Sequence, residues 1–366
     1  ADLPGMGGML ASGGALEQIG LLQKRIWGPI SSEQVRTDLE TFIRAAGAKH
    51  GLLGQVYGEI GGRSIGMVTG VSSSVIDWHK TFGVDIDHVD QSEIVRRAGL
   101  VPDEKKKQAV DWLEEKLGKV GYAEGTKLTR ENLERQAGHA IAVKEIVSDF
   151  QFDFIGIKCH FDLSEHYCTQ CLSAAFLPCA LDWDGEREPL VCACEADRDG
   201  AMTMQILQLV SRKPALFMDL RHYDTEKDLW TLCNCGAQSV YYAQRSSDPE
   251  ENLQSVELVP VIPKYGGVGA HVRYVGCEGE LTCARLMHEA DGMALLAFRA
   301  DAVPAEPEWL EQSCPAWPHL FARTEFEPRL LLDKLHANHI HAVEGDCVAE
   351  LEMFARMAGI RFESIS

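Results

Sequence analysis

Apolar positions along the chain change period several times, and each change predicts an element. Over residues 32–46 they fall on one helical face through Val35, Leu39, Phe42 and Ile43. Residues 52–57 read as a strand closed by the turn Gly61-Gly62-Arg63-Ser64, and residues 84–89 alternate as a second strand. Residues 103–117 predict a charged surface helix that buries Val110, Leu113 and Leu117. Thr129 stands as the cap of a longer helix running to Phe150, and residues 152–159 return as a strand that ends near Lys158. A short apolar run at 189–194, closed by Glu195, is followed by a buried helix at 200–213. A second run at 214–218 is closed by Asp219. Run, helix and run predict a βαβ unit with parallel strands. Lys158, Glu195 and Asp219 are then expected at one carboxyl edge, where open α/β sheets bind their ligands.

After about Tyr241 the helical patterns give way to short β-like runs at 256–259, 270–275 and 293–298, with a last helix at 347–358. The fold class expected is α/β. A doubly wound parallel sheet is followed by a β-rich region, either an antiparallel sheet or a barrel. The expected division is the tail of a preceding domain at 1–50, an α/β domain at 51–213 and a β-rich domain at 214–366.

Composition adds exclusions. The 366 residues carry a formal net charge of −20, against 45% hydrophobic and 25% charged residues. Phosphate backbones need clustered Lys and Arg, so no nucleic-acid partner is expected. No apolar stretch approaches the roughly 18–20 residues of a membrane span, and residues 1–8 lack a basic start and a long apolar core. A cytoplasmic protein is the expectation. The chain starts at Ala1 without Met, so an earlier domain is expected upstream. Many of the twelve Cys cluster between Cys159 and Cys235, which reads as a set of reduced thiols. Cys168-Thr169-Gln170-Cys171 has the spacing of half a zinc site, but Cys233-Asn234-Cys235 is too closely spaced to supply the other half.

Two carboxylates at one sheet edge repel unless a proton or a cation sits between them. Ala337-Asn338-His339-Ile340-His341 brings two late histidines as further candidates, and either one would complete a two-oxygen, one-nitrogen ligand set. That set suits Mn²⁺, Mg²⁺ or Co²⁺ and leaves coordination positions open for a chelating substrate. Aldose–ketose isomerisation through an ene-diol uses such a site. Lys158, at its strand end, is a candidate for sugar hydroxyls, and Trp317 for stacking on the apolar face of a sugar. Arg221 and His222 are candidates for orienting Asp219. A non-catalytic sugar-binding protein and a Cys-rich metal or redox module are the competing classes.

The residues 194–205, Cys194-Glu195-Ala196-Asp197-Arg198-Asp199-Gly200-Ala201-Met202-Thr203-Met204-Gln205, with Phe217-Met218-Asp219-Leu220-Arg221-His222-Tyr223, resemble the L-fucose isomerase family. Ala337-Asn338-His339 resembles that family's late histidine motif, and the segments 61–67 and 90–97 resemble its middle domain. The resemblance implies a Rossmann-like middle domain, a β-rich carboxyl-terminal domain and a site between them. It implies Glu195, Asp219 and His339 as Mn²⁺ ligands, with Glu195 and Asp219 also the acid/base catalysts. Lys158, Trp317 and Asn338 are the expected substrate contacts. It further implies a metal-dependent ketol isomerase acting on a sugar such as L-fucose or D-arabinose, assembled as a homo-oligomer, a trimer or hexamer, whose neighbouring subunit can complete the site.

Overall fold

The computed structural model describes residues 5–68, 70 and 74–366; the start of the chain considered above, residues 1–4, lies outside them. A four-stranded parallel sheet occupies the first half of the chain. Its strands are β1 (Val56–Ile60), β2 (Asp85–Val89), β3 (Phe154–Ile157) and β4 (Cys192–Cys194), in the order β2-β1-β3-β4. Side chains alternate across it. Tyr57, Ile86, Phe154 and Ala193 face one core with Trp78, Phe82 and Met202. Ile60, Ile155, Ile157 and Cys192 face another with Ile94, Val143 and Ile146. Burial on both faces is why these strands read as unbroken apolar runs.

Helices cover both faces. Helix α1 (Glu33–Leu52) and helix α3 (Arg198–Ser211) share the first core, and α2 (Arg130–Phe150) packs on the second. Thr129 caps α2 by accepting from the Asn132 amide at 3.2 Å. In α1 the buried stripe is Val35, Thr41, Ala45, Ala48 and Leu52, whereas Leu39 and Ile43 are exposed. The expected inward face is therefore rotated, because small alanines let the last helix, α4 (Val348–Ala358), approach closely.

The second half is a ring. Strands β5 (Leu216–Asp224), β6 (Leu229–Cys233), β7 (Gly279–Glu289), β8 (Gly292–Val303), β9 (His319–Arg323), β10 (His339–Glu344) and β11 (Arg361–Ile365) follow the order β7-β10-β5-β6-β9-β8-β11. Pairing of β7 with β8 closes the first six on themselves, and β11 adds in parallel to β8. Residues 257–260 and 270–273 pair in a separate small sheet with Lys119–Val120. Helical turns persist here at Pro249–Gln254, Pro307–Glu311 and Pro328–Lys334, each opened by its Pro, so the late region is not purely β.

One expectation is overturned. The run at 214–218 does not join the parallel sheet. It belongs to β5, which pairs antiparallel with β10 and β6, and Asp219 lies within that nine-residue strand rather than at its end. Both of its faces are buried all the same: Leu216 and Met218 enter the ring interior, and Phe217 faces α3. A strand covered on two sides has the apolar pattern of a parallel strand, whatever its partners. Helix α3 thus bridges two sheets. Among the described residues no helix is long and apolar enough to cross a membrane.

Candidate active site between the two sheets

Glu195 follows the end of β4, where the chain turns sharply with Glu195 at φ +58° and Ala196 at φ +50°. Asp197 then caps α3, accepting from the Gly200 amide at 2.9 Å. In the ring, β5 and β10 place Asp219 directly opposite His339. The His339 Nε2 atom stands 3.6 Å from Glu195 Oε2 and 3.6 Å from Asp219 Oδ1. Glu195 Oε2 and His339 Nε2 are both buried without a hydrogen-bond partner. The three residues named from the sequence therefore meet, although their acids belong to different sheets.

Asn338 donates to Asp219 Oδ1 at 3.4 Å. Lys158 follows the end of β3, and its ammonium pairs with Asp162 at 2.8 Å. Trp317 is buried, with the Arg221 guanidinium 5.0 Å above its ring, while His222 is exposed. The turn after β1 is tight: a side chain on Gly61, at φ +93°, would meet Gln91 and Lys158 within 3 Å.

Sequence reasoning passed over Asp197 and Arg285. Asp197 accepts from His339 Nδ1 at 2.7 Å and receives both terminal nitrogens of Arg285, at 2.5 and 3.0 Å. Both partners are buried. Burial pushes the Asp197 carboxyl up, but the charges of Arg285 and His339 more than reverse this and hold it well below the usual range. His341 lies two residues along β10 and turns its Nε2 to Arg285 at 3.0 Å, away from the acids. Burial and the Arg285 charge keep that ring neutral. Burial lowers His339, yet Asp197, Asp219 and Glu195 raise it past its ordinary value. Glu195 is pushed up by burial, against the pull of His339 and with the push of Asp219 and Asp197. The signals existed: Asp197 is an aspartate just before a helix, and Arg285 is a lone cation inside an apolar strand.

A second group lies on the other side of Glu195. Donor atoms of His160, Glu195 and Cys235 all fall within 4.8 Å of one another, and these side chains could hold a metal ion.

Residues 232–366 match the family model described as "L-fucose isomerase, C-terminal domain". This chain is a distant homologue of the L-fucose isomerases. It is 24% identical over 227 residues to a sulfoquinovose isomerase of Alkalicoccus urumqiensis, covering 62% of this chain and 46% of that protein. A sulfoquinovose isomerase of Priestia aryabhattai is 23% identical over 293 residues, 76% of this chain and 57% of its own length. An L-fucose isomerase of Streptococcus pneumoniae (strain P1031) is 25% identical over 218 residues, 52% of this chain and 36% of its own. The homologue thus spans about half the length, or less, of the curated relatives it matches.

Proposed function

We propose that this L-fucose isomerase homologue is a metal-dependent aldose–ketose isomerase acting on an open-chain sugar. The observation that carries the reading is the meeting of Glu195 and Asp219 on one imidazole nitrogen of His339, with two of the buried polar atoms there unpaired. Orphaned buried polar atoms and an excess of carboxylates call for a positive charge, so we assign a divalent ion to Glu195, Asp219 and His339, although among the described residues the group whose donor atoms all lie within 4.8 Å of one another is His160, Glu195 and Cys235. Oxygen and nitrogen donors favour Mn²⁺, with Mg²⁺ or Co²⁺ as alternatives. When bound, such an ion polarises adjacent sugar oxygens and stabilises negative charge developing on them.

The chain's own residues supply the rest. The Asp197 carboxylate fixes the His339 ring by taking its Nδ1 proton in a hydrogen bond, which leaves Nε2 facing the acids. Asn338 steadies Asp219. Of the two carboxylates, one takes the proton from sugar C2 and the other passes a proton between the O1 and O2 hydroxyls. A positioned base of this kind contributes roughly 10²–10⁴-fold. Lys158 and Trp317 are proposed as sugar contacts. We assign the sugar to the class named for the relatives, a sulfonated or deoxy-hexose, with D-arabinose as a smaller homologue of L-fucose. A homo-oligomer, trimer or hexamer, is proposed on the apolar side chains exposed before α1, among them Leu21, Trp27 and Ile30. The proposed division of the chain is 51–213 and 214–366, and the boundary expected at residue 50 falls inside α1, whose Ala45, Ala48 and Leu52 share the core of the parallel sheet.

The test is an isomerisation screen with added Mn²⁺ over sulfoquinovose, L-fucose and D-arabinose, read by NMR as exchange of the C2 proton with deuterated water. Exchange is expected in wild type and is expected to fall by roughly 10²–10⁴-fold in Glu195→Gln and in Asp219→Asn. Sugar binding without exchange would instead make the protein a non-catalytic sugar binder.

A further inference from the structure

The two oxygens of Glu195 face different surroundings. Oε2 points at His339, as described, whereas Oε1 lies 3.7 Å from His160 Nε2 and 3.9 Å from Cys235 Sγ. The third side of that triangle, from His160 Nε2 to Cys235 Sγ, is 3.3 Å. Tetrahedral zinc, with bonds of about 2.0–2.2 Å to nitrogen and oxygen and about 2.3 Å to sulfur, separates its ligand atoms by about 3.3–3.8 Å. Two of the observed edges, 3.3 and 3.7 Å, fall within those separations, and the third, 3.9 Å from Cys235 Sγ to Glu195 Oε1, lies just beyond them.

The histidine is already set to bind. Ser164 donates its hydroxyl to the Phe161 carbonyl at 3.2 Å, so its oxygen is left to accept from His160 Nδ1–H at 3.1 Å. In that arrangement the proton sits on Nδ1, and the Nε2 lone pair faces Cys235 and Glu195. A partner on the far ring nitrogen is the arrangement that metal-ligating histidines use. His160 is 6% exposed and Glu195 8%, with Cys235 half-buried beside them.

We propose that His160, Cys235 and Glu195 form a second divalent-cation site, selective for thiophilic ions such as Zn²⁺, that shares Glu195 with the sugar site. Binding takes the Cys235 thiol to a thiolate, with the proton released to solvent, and uses His160 as the neutral imidazole and Glu195 as the carboxylate. Cys194 Sγ is 3.9 Å from Cys235 Sγ but lies outside the close group, so three side chains make up the proposed ligand set. The two ligand sets use different oxygens of one carboxylate, so a thiophilic ion on Oε1 lowers the basicity of the Oε2 that faces His339 and slows turnover. That last consequence rests on the isomerase reading; the site itself does not.

The test is titration of the full chain, reduced and stripped with a chelator, with Co²⁺. A near-ultraviolet thiolate-to-cobalt charge-transfer band is expected, displaced by Zn²⁺. Cys235→Ser abolishes the band. His160→Gln weakens binding by more than the roughly 10–100-fold that loss of an outer-shell partner costs. Cys194→Ser and His339→Ala keep the band. A readout free of mutation is alkylation followed by peptide mapping: Zn²⁺ protects Cys235 and leaves Cys277 as reactive as before. Absence of a band, a band that survives Cys235→Ser, or unprotected Cys235 overturns the proposal. Zn²⁺ binding without slowed isomerisation overturns only the shared-carboxylate consequence.

Discussion

Two buried residues near the site are expected to control stability in opposite chemical senses. Asp197 neutralises Arg285 and orients His339, both deep inside the protein. Asp197→Asn keeps the shape and removes the charge, leaving Arg285 uncompensated at a cost of about 3–5 kcal/mol. Urea denaturation at pH 7 measures it, and adding Arg285→Met is expected to recover part of the loss by removing the stranded cation. His139 is the converse case, an imidazole kept neutral. Burial first, and then the Arg135 charge, lower its pKa from 6.5 to about 4. Its Nδ1 accepts from Gln170 at 3.1 Å, a bond that protonation would destroy. The unfolded chain takes up this proton near pH 6.5 and the folded one only near pH 4, so stability is lost as pH falls through that window. The loss is about 1.4 kcal/mol per pH unit, on the order of 3 kcal/mol in all. His139→Gln is expected to flatten the dependence of thermal stability on pH between 6.5 and 4.

Helix α3 links the elements that meet at the site. It lies in the core that joins the parallel sheet to the outside of the ring, and its first turn carries the Asp197 cap and the close-packed Gly200. A Cβ on Gly200 would come within 2.5 Å of Asp197 Oδ2 and 2.7 Å of His341 Nε2. Gly200→Ala is therefore expected to destabilise by about 1–3 kcal/mol through overpacking, despite alanine's better helix propensity. Denaturant midpoints, compared with Thr129→Ala at the start of α2, separate the two effects. The second change removes one capping bond away from the site, costs about 1 kcal/mol and leaves C2-proton exchange intact.

At the scale of the molecule, a parallel sheet and a closed ring meet with three carboxylates, Glu195, Asp197 and Asp219, which pair with Arg285, His339 and His160. A divalent ion relieves the repulsion between these carboxylates. Mn²⁺ is expected to raise the melting temperature of the full chain and a chelator to reverse it, since ligand binding to the folded state adds RT ln(1 + [L]/Kd), about 2.7 kcal/mol at a hundredfold excess over Kd. An unchanged melting temperature at saturating Mn²⁺ would remove the metal from the reading.

The sequence alone determined most of the helices and strands, because periods of 3.6 and 2 and a capping Thr129 are local properties. It also singled out Glu195 and Asp219, since carboxylates beside apolar runs are conspicuous in one dimension, while the resemblance of Ala337-Asn338-His339 to a family motif favoured His339 over His341. Strand partnership was another matter. Residues 214–218 are apolar on both faces, and nothing in that pattern distinguishes a neighbour in a parallel sheet from a place in an antiparallel ring. Only the tertiary structure decided that Asp219 stands opposite His339, that Arg285 reaches Asp197 across 88 positions, and that the second oxygen of Glu195 faces His160 and Cys235. Long-range pairs of this kind depend on how sheets close and stack, and that is a property of the folded chain as a whole.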